Sequence, residues 1–121
     1  MRRFVSILMA VFFSVCAHAQ ELPIFDSHIH YSHDAVKLVP PAEAVKVLRA
    51  AGLRKAMVSS SDDNGTQLLV AAAPDLIVPA LRPYRRRGEL STWMHDPTVI
   101  NYLEGNLAKN KYFALGEFHA F

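Results

Sequence analysis

The sequence is short of cysteine, of glycine and of any surplus charge, and each shortage removes a class of function. Its 121 residues hold one cysteine, Cys16, and five glycines. A lone cysteine cannot form an internal disulfide, and none is left once the leader described below is removed. That also excludes a cysteine nucleophile from the mature chain. No glycine cluster forms a phosphate-cradling loop. No apolar run reaches the ~20 residues that a membrane-spanning helix needs. No internal repeat, low-complexity stretch or linker divides the chain.

Export explains the one long apolar run that is there. Met1-Arg2-Arg3 gives a positive start, Phe4 to Val15 is almost wholly apolar, and Ala17-His18-Ala19 sets small residues on both sides of one position. This is the pattern of a signal peptide over residues 1–19, cleaved before Gln20, and it predicts a periplasmic or secreted protein. Val15 is larger than lipid-attachment sites prefer, so Cys16 reads as part of the discarded segment. Cleavage takes Arg2 and Arg3 from the 13 Lys and Arg residues and leaves the 11 acidic residues untouched. The mature chain is then near neutral, which argues against a nucleic-acid partner. With its leader gone it has no membrane segment. About a hundred residues, half of them apolar over the whole sequence, suffice for one domain with a modest core over residues 20–121.

Strand-like and helix-like runs alternate along it. Pro23 to Tyr31 reads as a strand with Ile24, Asp26, His28 and His30 on one face. A helix opens at Pro40-Pro41, carries Ala44, Leu48 and Ala51 on one stripe, and stops at Gly52. Lys55 to Ser61 is a second strand. Asp62-Asp63-Asn64-Gly65 is a turn that caps a short helix from Thr66 to Ala73. Leu76 to Tyr84 is a third strand, with Pro79 an awkward resident because proline cannot donate to a ladder. Asp96-Pro97 reads as an N-cap and first helical residue, followed by a helix with Ile100, Leu103 and Leu107 on one stripe. Tyr112 to His119 is a fourth strand. The order β-α-β-α-β-α-β predicts an α/β fold with a parallel sheet and right-handed crossovers.

The first strand is unusual in its polar end. Alternation places Asp26, His28 and His30 on a face where a buried strand carries apolar residues. Histidines two apart on a strand project together, so both imidazoles reach one metal ion. Zinc suits nitrogen ligands best here, with manganese, iron and nickel as alternatives. Asp26, one step deeper, either ligates directly or orients a histidine. The bland alternative is a histidine-rich loop edge in water, and three polar groups on one predicted core face outweigh it. On the fourth strand Leu115, Glu117 and His119 share a face. Glu117 follows an apolar run, where a carboxylate is costly unless paired or metal-bound, and is a third candidate ligand. His119 is equally a ligand, a substrate contact or an exposed strand end. Arg82 shares a face with Val78 and Ala80 near the end of the third strand, where it can hold a carboxylate or phosphate of a small-molecule substrate. Ser59 to Asp63 lie at the second strand's mouth and line a pocket or cap a helix. Arg85-Arg86-Arg87 reads as a solvated basic loop, His33, Asp34 and His95 as surface residues, and Trp93 and Met94 as packing residues.

Phe25-Asp26-Ser27-His28-Ile29-His30 resembles the strand-one signature of the amidohydrolase superfamily, in its amidohydrolase-related branch. Gly116-Glu117-Phe118-His119 resembles the strand-four segment of that branch. The resemblance implies a (β/α)8 barrel of TIM type with one or two divalent ions at its C-terminal mouth. It implies hydrolysis of an amide, ester, lactone or related bond, and some relatives decarboxylate instead. Four strands in about a hundred residues make a half-barrel, against the ~250 residues of a whole barrel. The remaining family elements, two histidines after strands five and six and an aspartate after strand eight, would lie beyond Phe121. The expectation is therefore the front half of a metal-dependent hydrolase. Two alternatives stand beside it. Metal phosphoesterases of the polymerase-and-histidinol-phosphatase type also open with paired histidines, but they bear a further histidine motif near the second strand, which Lys55 to Ser61 lacks. A truncated, non-catalytic product is the other, for which unpaired first and fourth strands invite self-association.

Overall fold

The computed structural model describes residues 22–119. The leader expected over residues 1–19, with Cys16, lies outside the described residues. Strand β1 (Ile24–Ile29) leads into a short helix, α1 (Asp34–Leu38), and then α2 (Pro41–Ala50). Strand β2 (Leu53–Val58), helix α3 (Asn64–Ala72) and strand β3 (Ile77–Leu81) follow. Two 3-10 turns, Glu89–Ser91 and Trp93–His95, precede α4 (Val99–Lys109) and a two-residue strand β4 (Ala114–Leu115).

All four strands are parallel and stand in the order β1-β2-β3-β4. Flat, such a sheet would hold its outer strands ~14 Å apart, at ~4.8 Å per step. Yet a side chain just beyond β4 touches side chains at the end of β1 (below), so the sheet curls into a half-barrel. Helices α1, α2 and α3 pack against the sheet around a core of Tyr31, Ala56, Val58, Leu69, Ala73, Leu76 and Ile77. Helix α2 contributes Ala44, Val45 and Leu48 to that core; Val45 takes the place expected for Ala51, which is exposed. Gly52 ends the helix at φ +81°, a left-handed position that glycine adopts without strain.

Several expectations are corrected. Helix α1 was not anticipated; Ala35 and Val36 on it pack against the core. Asp34 sits on it and pairs with Arg87, while Arg85 is half-buried between Glu89 and Asp96. The basic run is therefore only partly a solvated loop. Helix α4 begins at Val99 rather than Pro97, because the Asp96 carboxylate accepts the Thr98 amide at 2.8 Å and hydroxyl at 2.6 Å and holds a turn there. Its stripe is only partly covered: Leu103 is half-buried, but Ile100 and Leu107 are exposed. Asp63 does not cap α3 with its side chain. Its carboxylate is buried and accepts the Tyr112 hydroxyl and the Gln67 amide; burial pushes its pKa up, against the lowering by those bonds.

Pro79 does sit inside β3, and its place is intelligible. Its carbonyl accepts the Phe113 amide at 2.9 Å, so its nitrogen faces the β4 side, below the point where β4 starts. No ladder bond is forfeited. The fourth strand is far shorter than Tyr112 to His119. Its last ladder bond is Gly116 N–H to the Leu81 carbonyl, 2.9 Å, after which Glu117 turns to φ 64° and extended geometry ends. Strands β1 and β4 each pair on one side only, and Ile24, Phe25 and Phe113 are exposed along them.

The Arg85–Glu89–Asp96 network ties the long β3–α4 connection together. Arg85 also lies over the Tyr102 ring, 5.8 Å from its centroid. Bonds from the Thr98 hydroxyl and amide, with Arg85, hold the Asp96 carboxyl down to about 2. A depressed carboxyl pKa stabilises the fold above the ordinary carboxylate range, and that contribution fades as pH falls towards about 2. Asp96→Asn is accordingly expected to melt lower than the parent at neutral pH and to lose less further stability on acidification below pH ~4. Thermal midpoints across pH, read by circular dichroism, check this; parallel curves for both proteins would contradict it.

Candidate metal centre

The polar groups at the site all sit where parallel strands end. His30 follows β1, Ser59 follows β2, Arg82 follows β3 and Glu117 lies two residues past β4. Ligands of α/β sheets gather at this end because the loops there converge.

Local irregularity aims the histidines. Asp26 pairs with Ala56 and Ile29 with Val58, so β1 holds one residue more than β2 between these points. Such a bulge reorients neighbouring side chains. His28 lies within it and His30 past it; their Nε2 atoms are 3.0 Å apart, with ring centroids separated by 4.7 Å. Glu117 Oε1 stands 3.6 Å from His28 Nε2 and 3.2 Å from His30 Nε2. These three residues form a group able to hold a metal ion. Bonds of ~2.0 Å to a tetrahedral zinc would put neighbouring ligand atoms ~3.3 Å apart, and the observed separations bracket that value. The donor set of two imidazoles and one carboxylate is also one that zinc accepts. Glu117 holds its place at φ 64°, a conformation that costs a non-glycine residue energy and that accumulates at functional sites.

Tautomer and charge are set by what lies behind. His30 Nδ1 is 2.7 Å from the Ser59 carbonyl. A carbonyl only accepts, so Nδ1 carries the proton and, in the neutral ring, Nε2 keeps a lone pair that could bind a metal ion. Arg82 Nη1 approaches the same ring, 3.0 Å from Nδ1 and 3.5 Å from Nε2. Since Nδ1 is already donating, Arg82 does not donate to it, and the ring atom able to accept from Nη1 is Nε2, at 3.5 Å. Arg82 Nη1 is also 3.4 Å from Glu117 Oε2, and its guanidinium covers the Tyr84 ring at 4.5 Å. The Ser59 hydroxyl donates to Glu117 Oε2 at 3.2 Å.

No family model, curated protein or solved structure matches this chain.

The site is therefore read from its own chemistry, residue by residue. His28, His30 and Glu117 are brought together. Asp26 is not in that group; its Oδ1 accepts the His28 main-chain N–H at 3.0 Å. His119 is also elsewhere, although Leu115, Glu117 and His119 were expected on one face. The turn at Glu117 breaks the alternation, and His119 meets the Tyr84 hydroxyl through Nδ1 at 2.6 Å. Trp93 donates to the His119 carbonyl at 2.9 Å and stacks on Phe118, in the packing role expected of it.

A cavity of about 250 Å³ opens beside the group, lined by His28, Met57, Ser59, Ala80, Ala114 and Glu117 among others. Arg82 is buried and does not line it, so its contacts are with the site's own residues. A larger hollow of about 630 Å³ lies at the opposite, N-terminal ends of the strands, between Leu22, Arg49 and Arg54; it holds no ligating group. Ser59, expected at the second strand's mouth as a pocket-lining or capping residue, does line the cavity; its contacts with His30 and Glu117 were not anticipated. The signal was only positional: it is the first residue past a buried parallel strand.

Proposed function

We propose that this chain provides the metal-holding side of a divalent-metal-dependent hydrolase of the amidohydrolase type, built on the first four strands of a TIM-type barrel. The observation that carries the reading is the meeting of His28 Nε2, His30 Nε2 and Glu117 Oε1 within 3.6 Å of one another across a curled parallel sheet. These come from the two motifs that resemble that superfamily. Zinc is the proposed ion, with manganese, iron or nickel as alternatives.

The chain's own groups divide the work. His30 is held in one tautomer by the Ser59 carbonyl, so its basic nitrogen faces the ion without a tautomeric penalty. Arg82 lies against His30 and Glu117 and offsets part of the carboxylate's charge. The adjoining cavity, with Met57, Ala80 and Ala114 on its walls, receives a small, partly apolar substrate whose scissile group lies at the His28–Glu117 edge. A divalent ion there acts as a Lewis acid and makes the water it binds more acidic. The resemblance assigns proton removal to an aspartate after an eighth strand, and the proposal for these 121 residues is limited to holding the ion and admitting the substrate.

Titration of the metal-free 121-residue chain with zinc, followed by isothermal calorimetry, tests the reading. One ion per chain is expected, removed by a chelator and accompanied by a rise in thermal midpoint. Absence of saturable binding of zinc, manganese, iron and nickel alike would end it.

A further inference from the structure

Ser59 touches both sides of the proposed centre, and nothing in the two motifs involves it. It is the first residue after β2, nearly buried at 8% exposure. Its amide donates to the Ile29 carbonyl at 3.0 Å, which locks it to the end of β1 beside His30. From that fixed point its carbonyl takes the His30 Nδ1 proton at 2.7 Å. Its hydroxyl oxygen is 3.3 Å from the same nitrogen and 3.2 Å from Glu117 Oε2. A hydroxyl has one hydrogen. The Nδ1 proton already points to the carbonyl, so the hydroxyl hydrogen goes to Glu117.

The consequence is a division of the Glu117 carboxylate. Oε2 has two donors, the Ser59 hydroxyl and Arg82 Nη1, at 3.2 and 3.4 Å. Oε1 faces the two histidine nitrogens instead, at 3.2 and 3.6 Å. A carboxylate whose second oxygen is held by donors on the protein side offers the ion one oxygen, not two. We infer that Ser59 is a positioning residue that presents Glu117 as a single-oxygen ligand and His30 as an Nε2 ligand at the same time. The inference rests on the metal reading above and extends it to a residue that touches no ion. Partners of this kind, one bond removed from the metal, typically change affinity by ~10–100-fold when lost.

The experiment is a zinc titration of the 121-residue chain and of Ser59→Ala, Ser59→Thr and Ser60→Ala. Cobalt(II) replaces zinc in a parallel set, because its visible absorption reports the number and arrangement of ligands. Ser59→Ala is expected to bind zinc ~10–100-fold more weakly and to change the cobalt spectrum, as Glu117 becomes free to use both oxygens. Ser59→Thr keeps the hydroxyl and is expected to restore affinity and spectrum. Ser60→Ala removes a buried hydroxyl that donates to the Tyr31 carbonyl at 2.8 Å; it is expected to lower the thermal midpoint and leave zinc affinity alone. If Ser59→Ala does not fold, Ser59→Gly, which also removes the hydroxyl and adds no metal-binding group, carries the same expectation. A parent chain that binds zinc beside a Ser59→Ala variant of equal affinity and unchanged cobalt spectrum overturns the inference while leaving the metal reading intact. A parent chain that binds no metal overturns both.

Discussion

Replacing His30 with alanine is expected to weaken zinc binding by more than ~100-fold, beyond the range seen when only a supporting partner is lost. His28→Ala should cost somewhat less. The two imidazoles are not equivalent. His28 is largely in water, with 65% of its side chain exposed, so its ring must be ordered when the ion arrives. His30 is fixed in advance, through Nδ1 to the Ser59 carbonyl at 2.7 Å and through the guanidinium of Arg82 against its ring. Removing the fixed ligand forfeits its preorganisation as well as its bond. His30→Ala also leaves Arg82, buried at 7% side-chain exposure, with Glu117 as its remaining ion-pair partner among the described residues. Calorimetric titration gives the affinities directly. An independent reading comes from melting curves: zinc at ~100 times the parent's dissociation constant should stabilise the parent by ~2.7 kcal/mol, and a variant weakened ~100-fold by a few tenths. Retention of parental affinity by the His28→Ala, His30→Ala double variant would remove the metal centre from consideration.

The parts of this site that the sequence disclosed are those fixed by strand periodicity and by position at a strand end. His28 and His30, two apart, project to the same side, and Glu117 comes at the end of a short apolar run. What periodicity could not disclose depends on departures from it. One extra residue in β1 against β2 follows Asp26, whose carboxylate accepts the His28 amide and is not part of the three-residue group. One left-handed residue, Glu117, breaks the alternation, and His119 meets Tyr84 rather than joining the His28–His30–Glu117 group. Ser59 was legible as a pocket-lining residue but not as a partner of His30 and Glu117, for a different reason. Its contacts reach 29 residues back to His30 and 58 forward to Glu117, and a local pattern carries no record of such partners.

The same division holds for the fold. The order of the four strands and the three longer helices followed from apolar alternation and from Gly52, Pro40 and Pro41, which act locally, whereas the short α1 did not. Some boundaries and caps were displaced by a specific side-chain bond, local in one case and distant in another. Asp96 moved the start of α4 by binding Thr98, and Asp63 left its capping role for Tyr112, 49 residues away. Helix α4 shows the limit of stripe reasoning. Ile100 and Leu107 repeat at helical spacing, yet both are exposed, since periodicity says which residues share a face and not whether anything covers it.

Gly65 is where a local reading and a packed structure assign different roles, and the difference has a large consequence. In sequence it follows Asp62-Asp63-Asn64 and looks like a turn glycine. In the structure it lies in the first turn of α3, buried, and it is not among the residues with positive φ. Its need for glycine is one of space. A Cβ added there would fall 1.6 Å from the Tyr31 carbonyl oxygen, 2.8 Å from the carbonyl carbon and 3.0 Å from Ser60 Oγ. The first two are backbone atoms, held by the Ser60 hydroxyl, so no side-chain rotation relieves the contact. Helix α3 would have to move off the end of β1, taking Leu69 out of the core. Gly65→Ala is therefore expected to cost at least ~3 kcal/mol, at or above the upper end of overpacking penalties. A small domain with a modest core has roughly 5–10 kcal/mol in total, so most of its margin would go. Because Tyr31 adjoins His30, a chain that still folds should also bind zinc more weakly. Gly105→Ala makes the comparison decisive. Gly105 lies within α4, and a Cβ there meets nothing within 4 Å, so alanine's better helix propensity should raise stability by ~0.5–1 kcal/mol. The same one-carbon change is expected to act in opposite directions on two helices of one chain. Urea unfolding of both variants reads the signs, and a Gly65→Ala midpoint equal to the parent's would mean that α3 does not sit against the Tyr31 carbonyl.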